Sequence, residues 1–132
     1  MVKKATIGIL FFMALNLFSF TNITPAHASE IQNPNAIYEL YRTENFYNLL
    51  KLNTRNGCVT QVQIGIGKDG GRMEVNINSD PLVGVEEQQS GRFALYPTGN
   101  IYNFILLDRI SGRTWQIQWH TKPDNRFITP IS

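Results

Sequence analysis

One stretch of this chain occurs twice. Shifted by 55 positions, residues 40–63 (LYRTENFYNLLKLNTRNGCVTQVQ) fall on residues 95–118 (LYPTGNIYNFILLDRISGRTWQIQ) without a gap. Ten of the 24 aligned positions are identical: Leu40/Leu95, Tyr41/Tyr96, Thr43/Thr98, Asn45/Asn100, Tyr47/Tyr102, Asn48/Asn103, Leu52/Leu107, Gly57/Gly112, Gln61/Gln116 and Gln63/Gln118. Convergence on similar strand chemistry would explain the apolar matches, but not Asn45, Asn48 and both glutamines. The two stretches read as copies of one supersecondary unit. Each copy must then find something against which to bury its apolar side.

Both copies share a local plan. A short strand (37–41; 93–96) leads through a Thr-x-Asn turn into a longer one (46–52; 101–107). A polar loop follows, beginning at Asn53 or Asp108 and closing on Gly57 or Gly112. Asn or Asp starts such a turn by bonding its own backbone, and Gly supplies the left-handed residue that ends it. A four-residue loop sets Leu106 opposite Trp115 and Asp108 opposite Arg113. Tyr102, Phe104, Leu106, Trp115, Ile117 and Trp119 then share one face, and Ile105, Leu107, Thr114, Gln116 and Gln118 the other. The same register in the first copy puts Tyr47, Leu49, Thr60, Val62 and Ile64 on the matching face, with Lys51 as a polar intruder.

Residues 72–78 add an alternating strand with Met73, Val75 and Ile77 on one side, and Arg126-Phe127-Ile128 is the matching tail of the second copy. No helix-length amphipathic pattern competes. A hairpin or three-stranded meander is marginal alone in water. The copies, roughly 36–78 and 92–131 around a linker at 79–91, are therefore expected to close on each other with a pseudo-two-fold relation. The expected fold is all-β: a single small barrel or sandwich built from two tandem three- to four-stranded antiparallel repeats.

Ahead of the repeats, Lys3 and Lys4 precede an uncharged apolar run at 5–20, then Pro25 and the small-x-small triplet Ala26-His27-Ala28. This is the pattern of a cleaved export signal over 1–28, leaving one β domain at 29–132. A retained anchor is the alternative, but 16 helical residues reach only about 24 Å of a roughly 30 Å hydrocarbon core. A periplasmic or secreted product is expected, with no stable membrane insertion after cleavage.

Of 12 basic residues in the chain, two lie in that leader, so ten basic and ten acidic side chains remain. A neutral surface argues against nucleic acid, whose phosphates are met by clustered Lys and Arg. The single Cys excludes an internal disulfide framework.

Candidate chemistry is sparse. Gly65-Ile66-Gly67-Lys68-Asp69-Gly70 matches G-x-G-x-x-G, but a strand pattern follows where a dinucleotide site needs a helix. It reads as a turn. Cys58 and His120 are the lone members of their types after the leader, and Arg113 replaces Cys58 in the sister copy, so neither a thiol active site nor a metal site is expected. No serine elbow is present, and Glu86-Glu87 belongs to the linker. The expectation is a chain without catalytic residues and without a cofactor. Tyr41, Tyr47, Tyr96, Tyr102, Trp115 and Trp119 are candidates for an aromatic binding surface, and Gln116 and Gln118 for a polar row beside it. Ordinary strand aromatics with a wet polar tip are the competing reading.

The hairpin from Phe104 to Trp119, with Leu107-Asp108 and Ser111-Gly112-Arg113-Thr114-Trp115, resembles an L-D-x-x-[ST]-G-R-x-W block of small exported bacterial proteins of unknown function. The resemblance covers about a quarter of the segment after the leader. It implies a β-hairpin architecture and a cell-envelope setting, and carries no catalytic residues. The leading expectation is an exported non-enzymatic module that binds a glycan, a peptide or an envelope protein through its β-surface. A secreted inhibitor or interaction protein acting through loops, at 68–71 or in the linker, is the alternative. A small hydrolase is the third.

Overall fold

Among the described residues eight strands follow one another: β1 (Tyr38–Arg42), β2 (Asn48–Asn53), β3 (Val59–Gln63), β4 (Met73–Asn78), β5 (Phe93–Pro97), β6 (Asn103–Asp108), β7 (Thr114–Gln118) and β8 (Phe127–Ile131). The computed structural model describes Val2 and residues 33–132. The chain divides into units 1–30 and 31–132, and the export signal expected at 1–28 lies, Val2 apart, outside the described residues. Among those described, no helix is long and apolar enough to cross a membrane.

Hydrogen bonds join the strands into two antiparallel sheets, β1-β2-β3-β4 and β5-β6-β7-β8. No ladder links β4 to β5, so the barrel alternative falls and a sandwich-like pair of tandem four-stranded repeats stands. Strand pairing repeats with the 55-residue shift: Tyr38 faces Asn53 as Phe93 faces Asp108, and Asn48 faces Gln63 as Asn103 faces Gln118. Leu106 faces Trp115, as the four-residue loop required. Pro97 and Pro130 sit on β5 and β8, the edge strands of the second sheet, where a missing amide costs no internal ladder bond.

The shared turns have a local cause. Thr43 Oγ1 donates to the carbonyls of Asn45 (3.0 Å) and Asn48 (2.7 Å), and Asn45 Oδ1 accepts the Tyr47 amide at 2.9 Å. Thr98 donates to the Asn103 carbonyl at 2.9 Å, and Asn100 Oδ1 accepts the Tyr102 amide at 2.9 Å. Gly57 and Gly112 close their loops at φ of 81° and 77°. The G-x-G-x-x-G segment is the β3–β4 loop.

The repeats differ in which face they bury. We call front the face of Asn48, Leu50 and Leu52 in the first sheet, which corresponds to Asn103, Ile105 and Leu107 in the second. The back face carries Leu49, Lys51 and Asn53, or Phe104, Leu106 and Asp108. The second sheet buries its back, as expected. The first sheet buries its front. The matching face expected from the alignment, with Tyr47, Leu49, Thr60, Val62 and Ile64, is instead exposed or half-buried.

The reason is side-chain content. The back of the second sheet offers Leu106 and Trp115 where the first sheet has Lys51 and Thr60, and drying an ammonium is costly. Leu50, Leu52 and Val59 make the front of the first sheet the drier choice. A two-fold axis would set equivalent faces together, so the expected pseudo-two-fold is corrected: the repeats meet head-to-tail, front against back.

One core results, in which Leu50, Leu52 and Val59 pack with Phe93, Leu95, Phe104, Leu106, Trp115, Ile117 and Trp119. Gln61 lies fully buried among them. Its Nε2 donates to Asn48 Oδ1 (2.8 Å), and its Oε1 accepts from Arg126 Nε (3.0 Å) and the His120 amide (3.3 Å). A buried amide tied to both sheets in this way specifies how they register.

The linker is pinned rather than merely solvated. Val83 is buried, while Glu86 and Glu87 are exposed as expected. Arg92, at its end, clasps the buried Asp108 carboxylate through Nε and Nη2, both at 2.9 Å. Asp108 also accepts the Ser111 hydroxyl (2.6 Å) and the amides of Ile110 (3.0 Å) and Ser111 (3.2 Å). Burial alone would raise this carboxyl; the Arg92 guanidinium, the Ser111 hydroxyl and the two amides outweigh it and hold it well below the usual carboxylate range.

Asp108→Ala, which strands Arg92, is expected to cost about 3 kcal/mol by urea denaturation at pH 7. Because the folded carboxyl titrates below the unfolded one, its contribution is full above roughly pH 5 and is lost as pH falls through the folded value. The stability gap between the native chain and Asp108→Asn should therefore narrow between about pH 5 and pH 2. A gap constant over that range would remove the ion pair from the account.

Candidate functional site

The eight candidate residues do not form one surface. Trp115 and Trp119 are core residues, 6 % and 1 % exposed. Trp115 packs against Phe93 (ring centroids 6.2 Å apart), with the Arg113 guanidinium 5.2 Å from its centroid. Trp119 Nε1 donates to the Ile101 carbonyl at 2.8 Å. Tyr102, half-buried, lies between Trp119 (5.3 Å) and His120 (4.8 Å). Tyr41 is half-buried on the front of the first sheet; its phenol donates to Glu39 at 2.6 Å and interacts with the Leu95 backbone of the second. Burial and the Glu39 carboxylate push that phenol up. Tyr47 is exposed in the turn before β2.

The remaining three meet on the front of the second sheet, the side turned away from the core. Tyr96 faces Ile105, which faces Gln116 on the next strand. Tyr96 is 45 % exposed. Gln116 Nε2 donates to Asn103 Oδ1 at 2.6 Å, and Gln118 Nε2 to the Asn125 carbonyl at 2.8 Å. The Gln116–Asn103 pair copies the fully enclosed Gln61–Asn48 pair of the first sheet, but is only half-buried, on the face turned away from the core. Half-buried Ile105, Leu107 and Thr114 complete the patch.

The back of the first sheet holds an open concavity of about 470 Å³ lined by Tyr38, Lys51, Cys58, Thr60 and Glu74. Lys51 is paired with Glu74, and Thr60 Oγ1 donates to Asn76 at 3.3 Å. Burial, then the Asp80 carboxylate, pushes the Cys58 thiol up, which keeps it protonated and a poor nucleophile at neutral pH. Among the described residues no three His, Cys, Asp or Glu side chains converge as metal ligands would.

Two arginines escaped the sequence reading. Each directly precedes the fourth strand of its sheet and clamps the loop before it. Arg126 donates to the carbonyls of His120 (2.8 Å) and Thr121 (3.3 Å). Arg72 donates to those of Gly67 (2.5 Å), Lys68 (3.1 Å) and Gly70 (2.8 Å). The available signal was their common place before a matching strand, beyond the aligned 24 residues.

Two measurements check this placement. Trp119→Ala is expected to cost about 3–5 kcal/mol in urea denaturation, as large core truncations do, and Tyr47→Ala less than about 0.5. Equal effects would place Trp119 outside the core. Alkylation of Cys58 by iodoacetamide should be slower than that of free cysteine at pH 7.5, and should still be rising with pH where free cysteine has levelled off. A rate matching free cysteine would remove the burial effect.

No protein-family model, no curated protein and no solved structure matches this chain.

Proposed function

We propose that the chain is an exported, non-enzymatic binding module that recognises a polypeptide through the front of its second sheet. The observation that carries this reading is the half-buried Gln116–Asn103 pair on the outward front of the second sheet. Its buried counterpart, Gln61–Asn48, accepts a backbone amide and an arginine N–H from another sheet. The same side-chain pair on an outward, half-buried face therefore suits protein groups, and the half-buried Ile105 and Leu107 beside it supply area to bury. A glycan platform has less support, because both tryptophans that would stack on sugar rings are buried. The export signal read at 1–28 supports an extracytoplasmic setting.

The loop-borne inhibitor reading has one observation in its favour. Arg72 holds the 65–71 loop by three carbonyls, leaving Ile66 73 % exposed beside Lys68. Capture with immobilised chain 29–132 from the compartment that receives it separates the two. Capture of protein that is lost with Gln116→Lys and kept with Ile66→Ser supports the sheet-face reading. The opposite pattern transfers the function to the loop, and a glycan-array signal without protein capture overturns both.

A further inference from the structure

Inside one chain, the front of the first sheet packs on the back of the second. Among the described residues that leaves a complementary pair of faces open: the back of the first sheet and the front of the second. The residues that serve the internal joint from the front are Tyr41, Asn48 and Gln61, and the second sheet carries the identical Tyr96, Asn103 and Gln116 on its open front. The partner side is duplicated as well. Arg126, which reaches Gln61 at 3.0 Å, has its counterpart in Arg72, on the sheet whose back is open. Tyr38 and Leu40, 60 % and 57 % exposed, stand where the internal joint uses the buried Phe93 and Leu95.

Resting on the polypeptide-binding reading above, we propose that the partner is a second copy of this chain, with the front of one chain's second sheet seated on the back of the next chain's first sheet. Gln116 of one copy then accepts from Arg72 of the next, as Gln61 accepts from Arg126 within the chain. The Tyr96 phenol meets the Leu40 backbone as Tyr41 meets Leu95. A head-to-tail contact of this kind propagates until it closes. Four-stranded antiparallel sheets stacked radially close at about four to eight, so two, three or four copies complete a ring.

Charge favours the same outcome, because ten acidic and ten basic side chains after the leader leave no net repulsion between copies. Lys51 and Thr60 on the open back replace Leu106 and Trp115 of the internal joint, which makes the contact between chains wetter and weaker than the one within. Assembly is therefore concentration-dependent.

Light scattering during size exclusion of chain 29–132, from micromolar to submillimolar concentration, tests this. The expected result is a mass rising to two, three or four times that of the chain. Leu40→Glu and Ile105→Glu, each blocking one open face, should each stay monomeric with unchanged tryptophan fluorescence. Mixed, they should form a one-to-one pair, since each keeps the face that the other lacks. A two-fold dimer would instead persist in one variant alone and gain nothing from mixing, which overturns the head-to-tail arrangement. A native chain monomeric throughout overturns self-assembly; the polypeptide reading survives if that chain still captures another protein through Gln116, and fails with it if nothing is captured.

Discussion

A twisted four-stranded sheet has two sides, and side chains alternate between them with period two. In this chain both sides of both sheets carry some apolar residues, so the structure turns on which side each sheet dries. The first sheet dries Leu50, Leu52 and Val59; the second dries Leu106, Trp115, Ile117 and Trp119. These sides are not equivalent under the repeat. From that single asymmetry follow the head-to-tail joint, the two open faces and the half-burial of a Gln–Asn pair whose twin is fully buried.

Polar groups hold the arrangement in register, because apolar contact alone is non-directional. Gln61 ties its own sheet to Arg126 and to the His120 backbone of the other. Asp108 and Arg92 fasten the incoming linker to the hairpin of the second sheet. The L-D-x-x-S-G-R-x-W block thus has a structural explanation. Asp108 gathers the loop amides and Arg92, Gly112 closes the turn at positive φ, and Arg113 lies against Trp115, which fills the core.

The candidate site divides along the same line. Gln116 was legible as a polar strand residue beside apolar neighbours, and the front of the second sheet is where it stands. Trp115 and Trp119 were legible as strand aromatics, yet their burial depended on what lies opposite them, which no local pattern states. Arg72 and Arg126 were hidden because a lone arginine ahead of a strand resembles any solvated charge. Their role appears only when the preceding loop folds back and presents its carbonyls.

The sequence by itself determined the strands, their order within each repeat, the Thr-x-Asn and Gly-closed turns and the common register. All of these are set by neighbours a few residues apart, through alternation and turn chemistry. Tertiary structure alone decided which face of the first sheet is dry. Leu49 and Val62 look as buriable as Leu50 and Val59. The choice was a difference between two partly apolar faces, weighed against the cost of drying Lys51 and the shape of a partner sheet some fifty residues along the chain. Burial is a property of pairs of surfaces, and the second member of the pair is not written beside the first.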